Sequence, residues 1–267
     1  MKATEFIQTK EYKKFSEFCR ACHRDQNIGL CFGQAGVGKT ESARHYTKWQ
    51  KVFPLIGTRA PFPDVIPFPM QRLNSILYTP SILDQPKSII TEIKYLSRQF
   101  SYLKEHSLYG PDIPSYAREK NQNFAELVII DEAERLKPQA LELIRELYDT
   151  SDVNFIFIGM PGIERILERF PQLYSRIGFM HQFQRLSKIE IEFIIEKHFS
   201  KLGVNIDAAD FTDQEAISAV IRCTNGNFRL INRLVKQAIR IMKVNNAVTL
   251  TSEIIEAARS CLLIGEK

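Results

Sequence analysis

One short segment, CFGQAGVGKTESARHY at residues 31–46, has residue types and spacing suited to holding a chain of phosphates. Its three glycines keep side chains away from the backbone, so successive N–H groups can point towards phosphate oxygens. Lys39 can reach the β- and γ-phosphates, and the hydroxyl of Thr40 can bind Mg²⁺. The sequence therefore predicts a binding site for ATP with Mg²⁺. The residues expected to contact the nucleotide are Gly33, Gly36, Val37, Gly38, Lys39, Thr40 and Glu41.

A second segment, LVIIDEAERL at residues 127–136, could complete this chemistry. Its continuous apolar run is typical of a central parallel strand, and Asp131 follows at the carboxyl end. A buried carboxylate is costly unless it faces a cation, so Asp131 is expected to bind Mg²⁺ together with Thr40. Glu132 is placed to orient and deprotonate the attacking water. Alone, Asp-Glu after an apolar strand would equally fit a helix N-cap followed by a first-turn acid.

These groups can meet only if strands alternate with helices, and the hydrophobic pattern predicts that alternation. Buried strands are predicted at 28–32, 75–78, 127–130, 154–159 and 179–183. Helices are predicted at 4–24, 41–49 and 88–103 and from Pro138 onward, with loops at 53–73 and 104–124. The expected fold is therefore α/β, with a parallel sheet flanked by helices.

From Ser187 onward the pattern is helical only. The strings SKIE (Ser187, Glu190) and TDQE (Thr212, Glu215) each fit a capping box, and about four helices are expected. Gly203 and Gly226 stand where helices are expected to end. The predicted domains are an N-terminal helical arm at 1–24, a nucleotide-binding α/β domain at 25–186 and a helical domain at 187–267.

Composition excludes several classes of protein. The chain has 267 residues, a net charge of +5 and 44% hydrophobic residues, which is typical of a folded globular protein. Neither a membrane-spanning run nor a signal peptide is found, so a cytoplasmic protein is expected. Cys19 to His23 match the haem-attachment string CxxCH, but Phe15 and Phe18 share their helical spacing and predict a buried helix face.

The order of these motifs resembles that of the AAA+ ATPases over essentially the whole chain. The resemblance implies a P-loop AAA+ core followed by a small all-helical lid domain. The string TNGNFRLINRLVKQAI resembles the sensor-2 helix and places its arginine at Arg229, with Arg233 the second candidate. A cation in the first turn of a helix opposes the helix dipole, and a bound γ-phosphate would compensate for this. A solvated surface arginine is the alternative.

Two further positions follow from the same resemblance. The string RFPQLYSRIGF occupies the place of the arginine finger, which implies that Arg176, or secondly Arg169, acts on the nucleotide of a neighbouring subunit. A salt-bridged surface arginine is the alternative. Met160 occupies the sensor-1 position, where the family usually has a polar residue, so slow hydrolysis is expected.

Within this superfamily, the string IGLCFGQAGVGKTESARHYTKW resembles the transposition-regulator group, the Mu B, TniB and TnsC ATPases. This resemblance implies a homo-oligomer, ring or helical filament, that assembles with ATP on double-stranded DNA. It also implies recruitment or activation of a transposase, with or without a targeting protein, for target-site selection.

Direct signals for DNA contact are basic residues, which are found more often on solvated helix faces than at phosphate contacts. The candidates are Arg118, Lys120, Lys104 and Arg98. Three other functions stay open. An ExeA-type secretion ATPase would be expected to add a membrane span, and a replication initiator or loader a winged-helix domain. The third is a nucleotide-gated scaffold without significant turnover.

Overall fold

The computed structural model describes residues 6–58, 62–63, 65–110, 125–200 and 210–262. Within them, five strands form one sheet in the order β2-β3-β4-β1-β5, and every neighbouring pair is parallel. The strands are β1 (Ile28–Phe32), β2 (Ser75–Tyr78), β3 (Leu127–Ile130), β4 (Asn154–Gly159) and β5 (Ile177–Gln182). The first four have the predicted bounds, and β5 begins two residues earlier than predicted. The parallel α/β fold is thus confirmed.

The helices lie before, between and after these strands. Those preceding β5 are α1 (Lys10–Arg24), α2 (Lys39–Tyr46), α3 (Trp49–Ile56), α4 (Pro86–Tyr109), α5 (Pro138–Thr150), α6 (Ile163–Leu167) and α7 (Pro171–Tyr174). Those following it are α8 (Lys188–Ser200), α9 (Phe211–Thr224), α10 (Phe228–Val244) and α11 (Ser252–Ser260). Within the described parts of the chain, every helix is too short or too polar to span a lipid bilayer.

Several predicted boundaries of the first helices were wrong, and the helix predicted at 4–24 begins at Lys10. The helix predicted at 41–49 ends at Tyr46, because Lys48 adopts a left-handed conformation (φ 52°) that no continuing helix permits. A separate helix, α3, then runs to Ile56 through the start of the predicted loop. Similarly, α4 continues to Tyr109, six residues beyond its predicted end.

The register of the sheet fixes the edge at which functional residues can gather. β3 pairs with β2 and β4, and β4 pairs with β1, so the carboxyl ends of β1 and β3 lie on one edge with a single strand between them. All residues of β3 and β4 are buried, as the uninterrupted apolar runs predict. The segments following β1 and β3 therefore meet at this edge.

The chain divides into two compact units, which differ from the predicted domains. The sheet unit comprises Lys14–Gly33 and the described residues of 39–182, and the helical unit comprises Gln34–Gly38 and the described residues of 1–13 and 183–267. Most of α1 therefore belongs to the sheet unit rather than to a separate arm. Phe15, Cys19 and Cys22 are fully buried there, which confirms the buried helix face predicted for the CxxCH string.

The helical unit begins with a confirmed capping box. The N–H of Ser187 donates to the Glu190 carboxylate (3.0 Å), and the N–H of Glu190 donates to the Ser187 hydroxyl (3.4 Å). The box predicted at Thr212 and Glu215 was wrong, because Asp210 caps α9 by accepting from the N–H groups of Thr212 and Asp213 (2.8 and 3.3 Å). Gly226, with φ 72°, follows the end of α9 as predicted, whereas Gly203 lies outside the described residues.

Candidate nucleotide-binding site

The glycine loop joins β1 to α2 and folds in a way that only its glycines allow. Gly36 and Gly38 have φ values of +79° and +115°, a region that favours glycine. Lys39, the first residue of α2, is 8% exposed, and its ammonium group donates a hydrogen bond to the carbonyl oxygen of Gly33. The lysine is therefore held against the loop that it is predicted to serve.

Asp131 lies directly after β3 and contacts the start of α2. Only 3% of the residue is exposed, and its carboxylate accepts hydrogen bonds from the Thr40 hydroxyl and from the N–H of Glu132 (3.0 Å). Burial raises the pKa of the Asp131 carboxyl, because the charged form loses its hydration. A buried carboxylate beside a hydroxyl is an oxygen donor set that suits Mg²⁺, so the residues present fit this ion.

Glu132 has an ion-pair partner that the sequence reasoning missed. Its backbone is left-handed (φ 53°), and its carboxylate pairs with the guanidinium of Arg135. Arg135 also donates to the carbonyl oxygen of Pro80 (3.1 Å). The three-residue spacing of Glu and Arg in DEAER was the available signal, because such pairs lie side by side on a helical turn. Arg135 thus sets where the Glu132 carboxylate lies.

Within the helical unit, the middle of the glycine loop contacts the N-terminus of α10. The N–H of Arg229 donates to the carbonyl of Gly36 (2.9 Å), and the side-chain amide of Asn227 donates to the carbonyl of Ala35 (2.8 Å). Asn227 also caps α10 by accepting from the N–H of Leu230 (3.2 Å). The sequence reasoning missed Asn227, although asparagine just before a helical pattern is a recognised cap signal.

This contact leaves no room for a side chain at Gly36. A Cβ there would lie 2.5 Å from Oδ1 of Asn227 and 3.0 Å from Cβ of Arg229. Arg185 adds a further bond to the loop, from its Nε to the side-chain oxygen of Gln34 (3.1 Å). The side chain of Arg229 is exposed in the first turn of α10, and its sensor-2 role stays a prediction.

Arg176 lies just before β5 and is engaged within the sheet unit. Its guanidinium binds Asp149 in bidentate fashion (2.5 and 2.8 Å), and Arg145 binds the same carboxylate (2.8 Å). The bond from Arg176 lowers the pKa of the Asp149 carboxyl. Among the described residues, Arg169 is exposed and forms no ion pair. The finger role of Arg176 stays a prediction.

The end of β4 has methionine in the sensor-1 position but a polar side chain from another segment close by. Met160 is 39% exposed. The Oε2 atom of Glu134 lies 2.9 Å from the place that a Cβ on Gly159 would take. Glu134 is therefore the polar side chain beside this strand end, where the sequence offers only methionine.

The structure describes two of the four predicted DNA-contacting residues, Arg98 and Lys104, which both lie on α4. Arg118 and Lys120 lie outside the described residues. Lys104 pairs with Glu126 (3.8 Å) and lies over the ring of Phe100, so its charge is partly offset within the fold. Arg98 is exposed on α4 and forms no ion pair with another described residue.

Comparison with known proteins bears directly on the family. The AAA domain family matches residues 22–167, more than half of the chain. This chain belongs to the AAA domain family. Over 275 residues, this AAA protein is 42% identical to a "Potential ATP-binding protein" of Staphylococcus aureus, covering 99% of this chain and 98% of the relative.

A more distant relative is the "ATP-dependent target DNA activator B" of Escherichia phage Mu. The two chains are 24% identical over 198 residues, which is 72% of this AAA protein. The match covers 55% of the phage protein, little more than half of its length. The predicted resemblance to Mu B is thus confirmed as distant homology.

Solved structures confirm the fold. The Thermotoga maritima RuvB Holliday junction branch migration motor has a TM-score of 0.61 at 18% identity and covers 96% of this chain and 70% of its own. The Aeropyrum pernix ORC2 protein has a TM-score of 0.58 at 15% identity and covers 96% and 68%. Both support a P-loop AAA+ core followed by a helical part.

Proposed function

We propose that this AAA protein hydrolyses ATP with Mg²⁺ and uses the nucleotide to control its assembly on duplex DNA. The observation that carries the proposal is the buried Asp131 carboxylate, which accepts a hydrogen bond from the Thr40 hydroxyl and is close enough to Lys39 to feel its charge. This arrangement is what an Mg²⁺-bound triphosphate requires, and it is costly to maintain without a cation.

The chemistry divides among the chain's own residues. Lys39 and the loop N–H groups bind the β- and γ-phosphates, and Thr40 and Asp131 hold Mg²⁺. Bound Mg²⁺ supplies positive charge that offsets the charge on the phosphates. Glu132 orients the attacking water and accepts its proton, which requires the carboxylate to be released, at least in part, from Arg135.

The biological role that we propose is target-site selection for a transposase. The distant relative from phage Mu is named for ATP-dependent activation of target DNA, which supports duplex DNA and a transposase as partners. In an assembled ring or filament, Arg176 of one subunit would supply charge to the nucleotide of its neighbour. Arg229, which belongs to the helical unit, would supply positive charge to the γ-phosphate.

Two observations favour a second function, a nucleotide-gated scaffold. The Glu132 carboxylate is engaged by Arg135, and methionine occupies the sensor-1 position. Both features slow turnover, so the ATP-bound state would persist. Measuring phosphate release per subunit with and without duplex DNA separates the two functions, because a scaffold shows no turnover in either condition.

The test of the main proposal is the anisotropy of labelled duplexes of unrelated sequence, with and without a non-hydrolysable ATP analogue. We expect tight binding only with the analogue, similar affinity for each sequence, and loss of binding in Lys39→Ala. The lysine variant serves as the control because it cannot compensate the phosphate charge. Equal affinity without nucleotide, or no duplex binding at all, contradicts the proposal.

A further inference from the structure

The helical unit carries a concentration of positive charge that its own fold does not neutralise. Between residues 216 and 252 the sequence has six Lys or Arg residues and no Asp or Glu. Five of the six lie on α10, and all five are exposed. We name this set the α10 stripe; its members are Arg229, Arg233, Lys236, Arg240 and Lys243.

The spacing of the stripe places all five side chains on one helix face. Successive members are four, three, four and three residues apart, which matches two turns of helix for every seven residues. The opposite face is apolar and buried, with Ile231, Leu234 and Ala238 inside the helical unit. The stripe is about 21 Å long at 1.5 Å per residue.

Two other cations of the helical unit are neutralised by an ion pair within the fold. Arg222 on α9 pairs with Glu256 on α11 (2.8 Å), and Arg259 pairs with the same carboxylate (3.4 Å). None of the five stripe residues forms an ion pair with any described residue. Five like charges in a row repel one another, so the stripe is best satisfied by an external anion of matching length.

From this charge and geometry we infer that the α10 stripe beyond Arg229, which keeps its proposed role at the γ-phosphate, binds the phosphate backbone of duplex DNA. The inference rests on the proposed function and names the surface that carries out its DNA-binding part. A straight stripe of about 21 Å is long enough to contact several phosphates of a duplex backbone. A groove runs beside the stripe and is lined by three of its members, Arg233, Lys236 and Arg240.

The composition of the stripe distinguishes among polyanions. Single-stranded nucleic acid is bound by aromatic side chains on which bases stack, but the only aromatic residue of α10 is Phe228 at its first position. The centres of protein interfaces are depleted in charged residues and rich in aromatic ones, whereas the stripe consists of five cations in succession. Contact with phosphates alone positions the protein without reading sequence.

The test replaces Lys236, Arg240 and Lys243 together by Gln, leaving Arg229 and Arg233 intact because of their proposed nucleotide roles. Duplex binding is measured by anisotropy across a salt series with the non-hydrolysable ATP analogue. We expect weaker binding to all sequences alike and a salt slope that is flatter by up to about 2.7, since each phosphate contact contributes about 0.9. Basal ATP turnover without DNA should be unchanged.

The matched control removes three charges that are already paired in the sheet unit, by Arg20→Gln, Arg24→Gln and Arg44→Gln. It has the same net charge as the stripe variant and should keep the wild-type salt slope. Equal flattening in both variants would attribute the effect to net charge and overturn the assignment.

Three other outcomes are distinct from one another. Wild-type binding with a stripe variant of unchanged affinity and slope overturns the stripe and leaves the proposed function intact. A wild-type protein that binds no duplex at any salt overturns the proposed function and the stripe together. The third outcome is that the stripe variant, unlike the wild type, no longer self-associates with ATP in the absence of DNA, as measured by sedimentation. The stripe would then be a contact between copies, and the DNA assignment would be overturned.

Discussion

Asp131 shows how a single residue can be placed for function against its own stability. Burial raises the pKa of its carboxyl, so the folded state holds this proton to a higher pH than the unfolded chain does. A carboxyl whose folded pKa exceeds its unfolded pKa stabilises the fold at low pH and loses that contribution as the pH rises through the folded value. Its charge at neutral pH therefore serves Mg²⁺ rather than the fold.

We expect Asp131→Asn to raise the melting temperature at neutral pH without nucleotide, because the amide carries no charge to desolvate. With Mg²⁺–ATP at 100 times the Kd, the wild type should gain about 2.7 kcal/mol and the variant far less, since it has lost its Mg²⁺ ligand. Thermal unfolding at neutral pH, with and without Mg²⁺–ATP, measures both. An unchanged melting temperature together with a full nucleotide shift would contradict this reading of Asp131.

Glu132→Gln should keep ATP affinity and lower turnover by about 100-fold or more, because general-base catalysis contributes about that much. Single-turnover hydrolysis and nucleotide titration make the comparison. Arg135→Gln is the control, since it breaks the same ion pair but leaves the carboxylate in place. If Glu132→Gln turns over at the wild-type rate, the base is elsewhere. If both variants are equally inactive, the ion pair rather than the base accounts for the loss.

At the scale of elements, the strands could be predicted and the ends of several helices could not. A buried parallel strand is a continuous apolar run, and such a run is visible in the chain at β3 and β4. The break between α2 and α3 depends on the left-handed backbone of Lys48, a residue type that rarely adopts it. The cap of α9 is Asp210, two residues before the predicted Thr212, and both residue types can cap a helix.

The candidate site divides in the same way. The glycine loop and Asp131 could be predicted because each is marked by a short local string, the spaced glycines in one case and the apolar strand before the acid in the other. The contact between Ala35 and Asn227 joins positions 192 residues apart, and no local pattern encodes it. The pairing of Arg176 with Asp149 is likewise non-local, so the sequence could indicate the arginine but not its partner.

Gly36→Ala should weaken ATP binding more than tenfold, because the loop must leave its left-handed conformation and Asn227 must move. A left-handed alanine costs about 1–2 kcal/mol, and 1.4 kcal/mol is a factor of ten in affinity. Gly110→Ala is the matched control, since Gly110 also has positive φ but has no atom within 4 Å of its would-be Cβ. Isothermal titration of ATP measures both variants. Equal affinity in the two variants would show that the contact with Asn227 does not shape the loop.

At the scale of the whole molecule, the proposal requires that hydrolysis depend on assembly. Arg176→Ala should keep ATP affinity but abolish any rise of turnover per subunit with protein concentration or with duplex DNA. The reason is that a finger acts only on a neighbour's nucleotide. The substitution also removes the bidentate ion pair with Asp149, so its effect on stability has to be followed separately. Turnover across a concentration series, with melting temperature measured alongside, gives the comparison.

Arg145→Ala is the matched control. Arg145 binds the same Asp149 carboxylate as Arg176, so its substitution removes the same charge from the same network. It should retain the dependence of turnover on assembly. Mixing Arg176→Ala with Glu132→Gln subunits should restore part of the activity, since some interfaces then join an intact finger to an intact base. Undiminished turnover of assembled Arg176→Ala would end the assignment of Arg176 as the finger. The same measurement on Arg169→Ala would then test Arg169, the exposed arginine that forms no ion pair with a described residue.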